Sequence, residues 1–152
     1  VHTIVVPVGG GGLSSAIATS VAAAKPGVAV WGVEPEGAPG MHRSLEVGKA
    51  IDLDSVATVA DGLGAPMAGV LNHALLAAHA RGVVLVSDDE IIHALSVILE
   101  RTKLLVEPAG AAAVAALLEG RIPVVPEKPV VAVLSGGNVD LGLLSTLLRA
   151  GA

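Results

Sequence analysis

The sequence predicts an α/β domain: a parallel sheet of about four strands with helices on both faces. Three observations carry that prediction. Four Val-rich runs, residues 3–8, 28–33, 83–86 and 129–134, lack apolar/polar alternation, the pattern of strands covered on both faces. Helical stripes lie between these runs, so strand and helix alternate along the chain. That succession needs crossover connections, which are right-handed in nearly all parallel sheets.

The first strand run ends in Gly9-Gly10-Gly11-Gly12. A helical stripe of Leu13, Ala16, Ile17, Val21 and Ala24 follows, stopped by Lys25-Pro26-Gly27. After the second strand, residues 38–64 read as irregular, with one short helix over 41–47. Met67, Val70, Leu71, Ala74, Leu75 and Ala78 mark the next helix, with Gly82 as its stop. Ser87-Asp88-Asp89-Glu90 is a capping box for a helix carrying Ile91, Ile92, Leu95, Ile98 and Leu99. Residues 109–118 are apolar nearly all round, which places that helix in the interior. A last helix covers about 140–149. No internal repeat or low-complexity linker divides the chain, so residues 1–152 read as a single domain.

Hydrophobic residues make up 53% of the chain and 19 residues are glycine. Together these approach about 65%, against roughly 45–50% in ordinary globular chains. Charged residues are only 15%. A lone sphere of this composition leaves apolar surface in water, so a buried interface is expected, with a second copy or with a further part of the same protein. The net charge is −5, with 9 Lys plus Arg, one Trp and no Phe or Tyr; such a chain lacks both the basic stripe and the stacking platforms of a nucleic-acid binder. The absence of Cys removes thiolate chemistry and fits a reducing, cytoplasmic setting. The apolar runs are broken well short of the roughly 20 residues a bilayer requires, and no signal-peptide pattern opens the sequence.

Two loops could carry chemistry. The four consecutive glycines remove every Cβ between a strand and a helix, so successive N–H groups can turn onto an anion. The helix N-terminus behind them adds partial positive charge. A permissive turn is the alternative, although one or two glycines would serve for that. A P-loop needs Gly-Lys-Ser/Thr, and Leu13-Ser14 follows here instead. A dinucleotide fingerprint needs a glycine where Ser14 or Ser15 stands. Glu34, 22 residues after Gly12 at the end of the second strand, nevertheless suits a ribose-binding acid, so NAD stays open as an alternative. The second loop, Ser135-Gly136-Gly137-Asn138, follows the last strand and shares the C-terminal sheet edge with the tetraglycine. A hydroxyl there can bond a flat heterocycle while the glycines let it approach.

These segments, taken with Gly32-Val33-Glu34-Pro35, Ala60-Asp61-Gly62 and Glu107-Pro108-Ala109-Gly110-Ala111, follow the order and spacing of another family. The chain resembles the C-terminal half of fold-type II pyridoxal 5'-phosphate enzymes of the threonine dehydratase (threonine/serine ammonia-lyase) family, with serine racemase a near relative. The resemblance implies that Gly9, Gly10, Gly11, Gly12 and the Leu13 backbone hold the cofactor phosphate, and that Ser135 bonds the pyridine nitrogen. It further implies that Glu107 lies near the ring and that Asp61 either shapes the substrate mouth or serves an Asp-Gly turn. The implied reaction is β-elimination of L-threonine or L-serine to a 2-oxo acid and ammonia.

Some relatives bind a divalent cation through a Glu at the position of Glu34, a main-chain carbonyl four residues on and an Asp six residues on. Here the later positions are Ala38 and Gly40, so no metal site is expected. The five histidines show no ligand spacing and are assigned surface or interface roles. The family's Schiff-base lysine belongs to an upstream Ser-x-Lys-x-Arg segment, and none of Lys25, Lys49, Lys103 or Lys128 stands in such a setting. The chain alone is therefore expected to be catalytically silent, completed by a lysine-bearing half. The alternative is a non-catalytic, oligomeric anion-binding module.

Overall fold

The computed structural model describes residues 1–150. Its centre is a sheet of four parallel strands in the order β3-β2-β1-β4, with β1 at Thr3–Pro7, β2 at Ala29–Pro35, β3 at Gly82–Val86 and β4 at Val130–Ala132. Alternate strand residues feed two cores. Val5, Val33 and Val86 pack with helices α4 (Asp88–Thr102), α5 (Pro108–Leu118) and α6 (Leu141–Ala150). Val6, Val8, Val30 and Val83 face the other way, onto α1 (Gly12–Ala24), α2 (Gly40–Val47) and α3 (Val70–His79). Apolar side chains on both faces are what the unalternating runs require. Helix α5 and its neighbours come close because seven of its 11 residues are alanine or glycine, and it is buried from Pro108 through Ala113.

The Ser87 capping box forms: Glu90 N donates to Ser87 Oγ at 3.2 Å and Ser87 N donates to Glu90 Oε2 at 2.8 Å. Two elements are shorter than their sequence patterns. The third helix begins at Val70, because Met67 instead pairs with Asp52 in an antiparallel bridge. The last strand covers three residues of the six-residue run. Thr3 N and Val133 N join the two strands through Pro129 O and Val5 O. The next donor on β1 would be Pro7, which has no N–H, and the ladder stops. The chain leaves the sheet there and turns into Ser135-Gly136-Gly137.

No helix among the described residues is long and apolar enough to cross a membrane. Several large apolar side chains are uncovered, with Leu104 at 51%, Leu105 at 48%, Leu141 at 69% and Leu143 at 50% exposure.

Candidate functional site

The C-terminal ends of β1 and β4 open onto one cleft of about 260 Å³. Gly9, Gly10, Gly11, Gly12, Leu13, Glu107 and Ser135 all stand on its wall. Gly11 caps α1 with φ 90° and ψ 1°, a left-handed conformation that costs an L-residue about 1–2 kcal/mol. Its carbonyl accepts from Ser15 N at 2.9 Å and from Ser14 Oγ at 3.2 Å, which turns it into the helix. The N–H groups from Gly9 through Ser14 donate to no protein acceptor among the described residues. The first N–H groups of a helix have no intrahelical acceptor, and here the glycine loop adds further free donors at the positive end of a 13-residue helix. That set of donors suits a dianionic phosphate ester.

On the same cleft, Glu107 caps α5, and its N–H donates to Gly136 O at 3.1 Å. That bond clips the β4–α6 loop to the start of α5, so Ser135 and Glu107 share the cleft wall. A Cβ on Gly136 would collide with the Glu107 carboxylate, so the glycine is what lets the loop lie over that side chain. Pro7, Ser14, Gly62, Leu63 and Ala109 complete the wall, and none of them stands out in the sequence as a site residue. The Gly62-Leu63 pair sits in a 3-10 turn whose position depends on packing, which local composition does not report.

Asp61 and Glu34 are not on the wall. Asp61 is exposed and its Oδ1 accepts from Gly62 N at 2.8 Å, fixing the Asp-Gly turn. Glu34 corrects the ribose-binding reading. It is 1% exposed, and its two oxygens accept from Met41 N at 2.8 Å and His42 N at 2.7 Å, at the start of α2. Buried, and away from the cleft wall, this carboxylate is out of reach of a ribose diol. Among the described residues, no group of three or more His, Cys, Asp or Glu is gathered as a metal would need.

Burial pushes the Glu34 carboxyl from its ordinary 4.5 up to about 7, against the opposing pull of its two backbone bonds. The folded chain thus holds this proton more tightly than the unfolded chain. Its contribution to stability is greatest below about pH 4.5, falls as pH rises to about 7, and is flat above that. Glu34→Gln should remove the slope. Urea unfolding of wild type and variant is expected to show their stability difference changing by about 2–3 kcal/mol between pH 5 and pH 8, in the variant's favour.

Two histidines depart from the surface role expected of them. His73 is buried and bonds Ser44 O through Nε2 at 3.1 Å, while His42 bonds Val83 O through Nδ1 at 2.7 Å. Both tie α2 to its neighbours, because a carbonyl can only accept and the ring nitrogen facing it must carry hydrogen. None of the four lysines reaches the cleft wall. Lys103 is the C-cap of α4 and turns its Nζ onto Glu100 O at 2.7 Å.

Known proteins share both this fold and these segments. Residues 1–136 match the family model described as pyridoxal-phosphate dependent enzyme. The chain is 43% identical over 151 residues to an L-threonine ammonia-lyase of Geobacter sulfurreducens, covering 99% of the chain and 37% of that protein. It is 35% identical to a catabolic L-threonine dehydratase of Escherichia coli, covering 97% and 45%. Among solved structures, a threonine deaminase of T.th. superposes with TM-score 0.85 at 39% identity, over 91% of this chain and 46% of that one. Serine racemase from Dictyostelium discoideum gives 0.84 at 37%, over 93% and 45%. The chain therefore spans less than half the length of each of these relatives. With the glycine loop and Ser135 on one cleft and a family model covering nearly the whole chain, this protein belongs to the pyridoxal-phosphate dependent enzyme family.

Proposed function

We propose that this chain is the phosphate- and ring-binding part of a pyridoxal 5'-phosphate-dependent threonine/serine ammonia-lyase. The observation that carries the reading is the row of unpartnered N–H groups from Gly9 through Ser14, on residues that line the same cleft as Ser135. Pyridoxal 5'-phosphate, when bound, supplies the electron sink that lets an amino acid lose its Cα proton and β-hydroxyl. The glycine-loop N–H groups bind the phosphate and fix the cofactor's position. Ser135 donates its hydroxyl hydrogen to the pyridine nitrogen, and being neutral it offers no charge to hold a proton there. Glu107 and the 3-10 turn line the sides of the cleft. No lysine of this chain is placed to remove the Cα proton, so that step falls to another segment of the enzyme.

Thermal unfolding provides the test. Pyridoxal 5'-phosphate at about 100 times its Kd should stabilise the 152-residue chain by about 2.7 kcal/mol. NAD should leave Tm unchanged, and ammonia release from serine or threonine by the chain alone should stay at background. Protection by NAD in place of the cofactor, or robust ammonia release, would overturn the reading. The exposed Leu104, Leu105, Leu141 and Leu143 support a second reading, in which the chain persists as a non-catalytic oligomer that still binds the anion. Sedimentation separates the two: a self-associating chain that does not pair with a lysine-bearing segment favours the module.

A further inference from the structure

Four glycines in a row leave the loop free to turn its N–H groups toward the cleft or away from it. The restraint lies behind the loop, on α3. Asn72 donates from Nδ2 to Gly10 O at 2.8 Å, and Gly69 N donates to the same oxygen at 3.2 Å. The other end of the Asn72 amide is also held, because Oδ1 accepts from Ser15 Oγ at 3.1 Å. Ser15 is 2% exposed, so water does not compete for its hydroxyl. The hydroxyl also lies 3.2 Å from Gly12 O, so its one hydrogen is shared between two acceptors, and a flip of the Asn72 amide would lose the bond to Gly10 O.

In a trans peptide the carbonyl and the following N–H point in opposite directions. Holding the Gly10 carbonyl against α3 therefore turns the Gly11 N–H away from α3. The cleft lies on that side: its wall includes Gly9 through Gly12 and neither Gly69 nor Asn72. The latch is also short, since a Cβ on Gly11 would stand 2.8 Å from Asn72 Cβ. We infer that Asn72 is a positioning residue for the phosphate monoester: it touches no ligand, but it aims the Gly11 donor and holds the loop in its binding shape. This rests on the phosphate reading of the glycine loop. A polar side chain 62 residues from Gly10 and 57 from Ser15 thus links α3 to the first turn of α1.

The test compares pyridoxal 5'-phosphate, pyridoxal and inorganic phosphate, titrated into the full 152-residue chain at fixed salt. Asn72→Ala should weaken pyridoxal 5'-phosphate and inorganic phosphate about tenfold each and leave pyridoxal, which has no phosphate, unchanged. Ser15→Ala, which frees the amide to rotate while disturbing less packing, should show the same pattern at about threefold. It decides the matter if Asn72→Ala does not fold. Equal losses for pyridoxal and pyridoxal 5'-phosphate would make Asn72 merely structural and overturn the inference, as would phosphate affinity unchanged in both variants. Failure of the wild-type chain to bind either phosphate compound is a different result: it removes the cradle itself, and the positioning role with it.

Discussion

Gly11→Ala should cost the chain its phosphate affinity and a substantial part of its stability. At φ 90° the alanine Cβ meets the strain that a left-handed backbone imposes on L-residues, about 1–2 kcal/mol. The new carbon would also stand 2.6 Å from Met41 Cε and 2.8 Å from Asn72 Cβ. The methionine end can move aside, but the Asn72 Cβ is fixed to the α3 backbone. Relief therefore requires the loop to rotate, which breaks the Gly10 carbonyl bonds and turns the cradle N–H groups off the cleft. Urea unfolding should show a loss of about 2–3 kcal/mol. Affinity for inorganic phosphate should fall at least about a hundredfold, as expected when two or more charge-assisted bonds are lost together. Gly12→Ala is the control. A Cβ there meets nothing within 4 Å and no positive φ is required, so stability should stay within about 0.5 kcal/mol. Similar losses for both variants would mean that the strain at residue 11 does not govern the cradle.

That contrast between neighbouring glycines marks what could be read from the sequence and what could not. Unalternating Val runs suffice to predict a sheet covered on both faces, since strand composition reports burial directly. The two glycine-rich loops were legible as partners because both follow strands, and parallel strands deliver their C-terminal ends to one edge. Glu34 was not legible. Its spacing from Gly12 suits a ribose contact, but α2 folds back so that Met41 N and His42 N take both oxygens, a tertiary event that spacing does not encode. The same holds for the short β4, where Pro7 on the neighbouring strand, and nothing in residues 129–134, ends the ladder. Asn72 left one usable trace: it is a polar residue in the apolar succession of α3, where an amide needs a partner to be worth its place.

The Ser135 side of the cleft should respond differently to the same kind of change. Gly110 lies in the buried helix α5, where a Cβ would stand 2.6 Å from Gly136 O and 3.2 Å from Gly136 N. Both are backbone atoms, so no side chain can swing clear. Gly110→Ala must push the β4–α6 loop outward and stretch the Glu107 N to Gly136 O bond, now 3.1 Å. Overpacking of this kind costs about 1–3 kcal/mol. Alanine's better helix propensity returns about 1 kcal/mol, so a net loss of about 1 kcal/mol is expected in urea unfolding. Ser135 moves with the loop, while the Asn72 and Gly69 bonds to Gly10 O keep the glycine cradle in place. Pyridoxal 5'-phosphate should therefore bind at least about tenfold more weakly, with inorganic phosphate within about twofold of wild type. Gly11→Ala predicts the reverse emphasis, with phosphate itself lost. If both variants lose inorganic phosphate alike, the two walls are not separable and Ser135 has no distinct role at the ring. If Gly110→Ala leaves pyridoxal 5'-phosphate affinity intact, the hydroxyl at residue 135 contributes nothing to holding the cofactor.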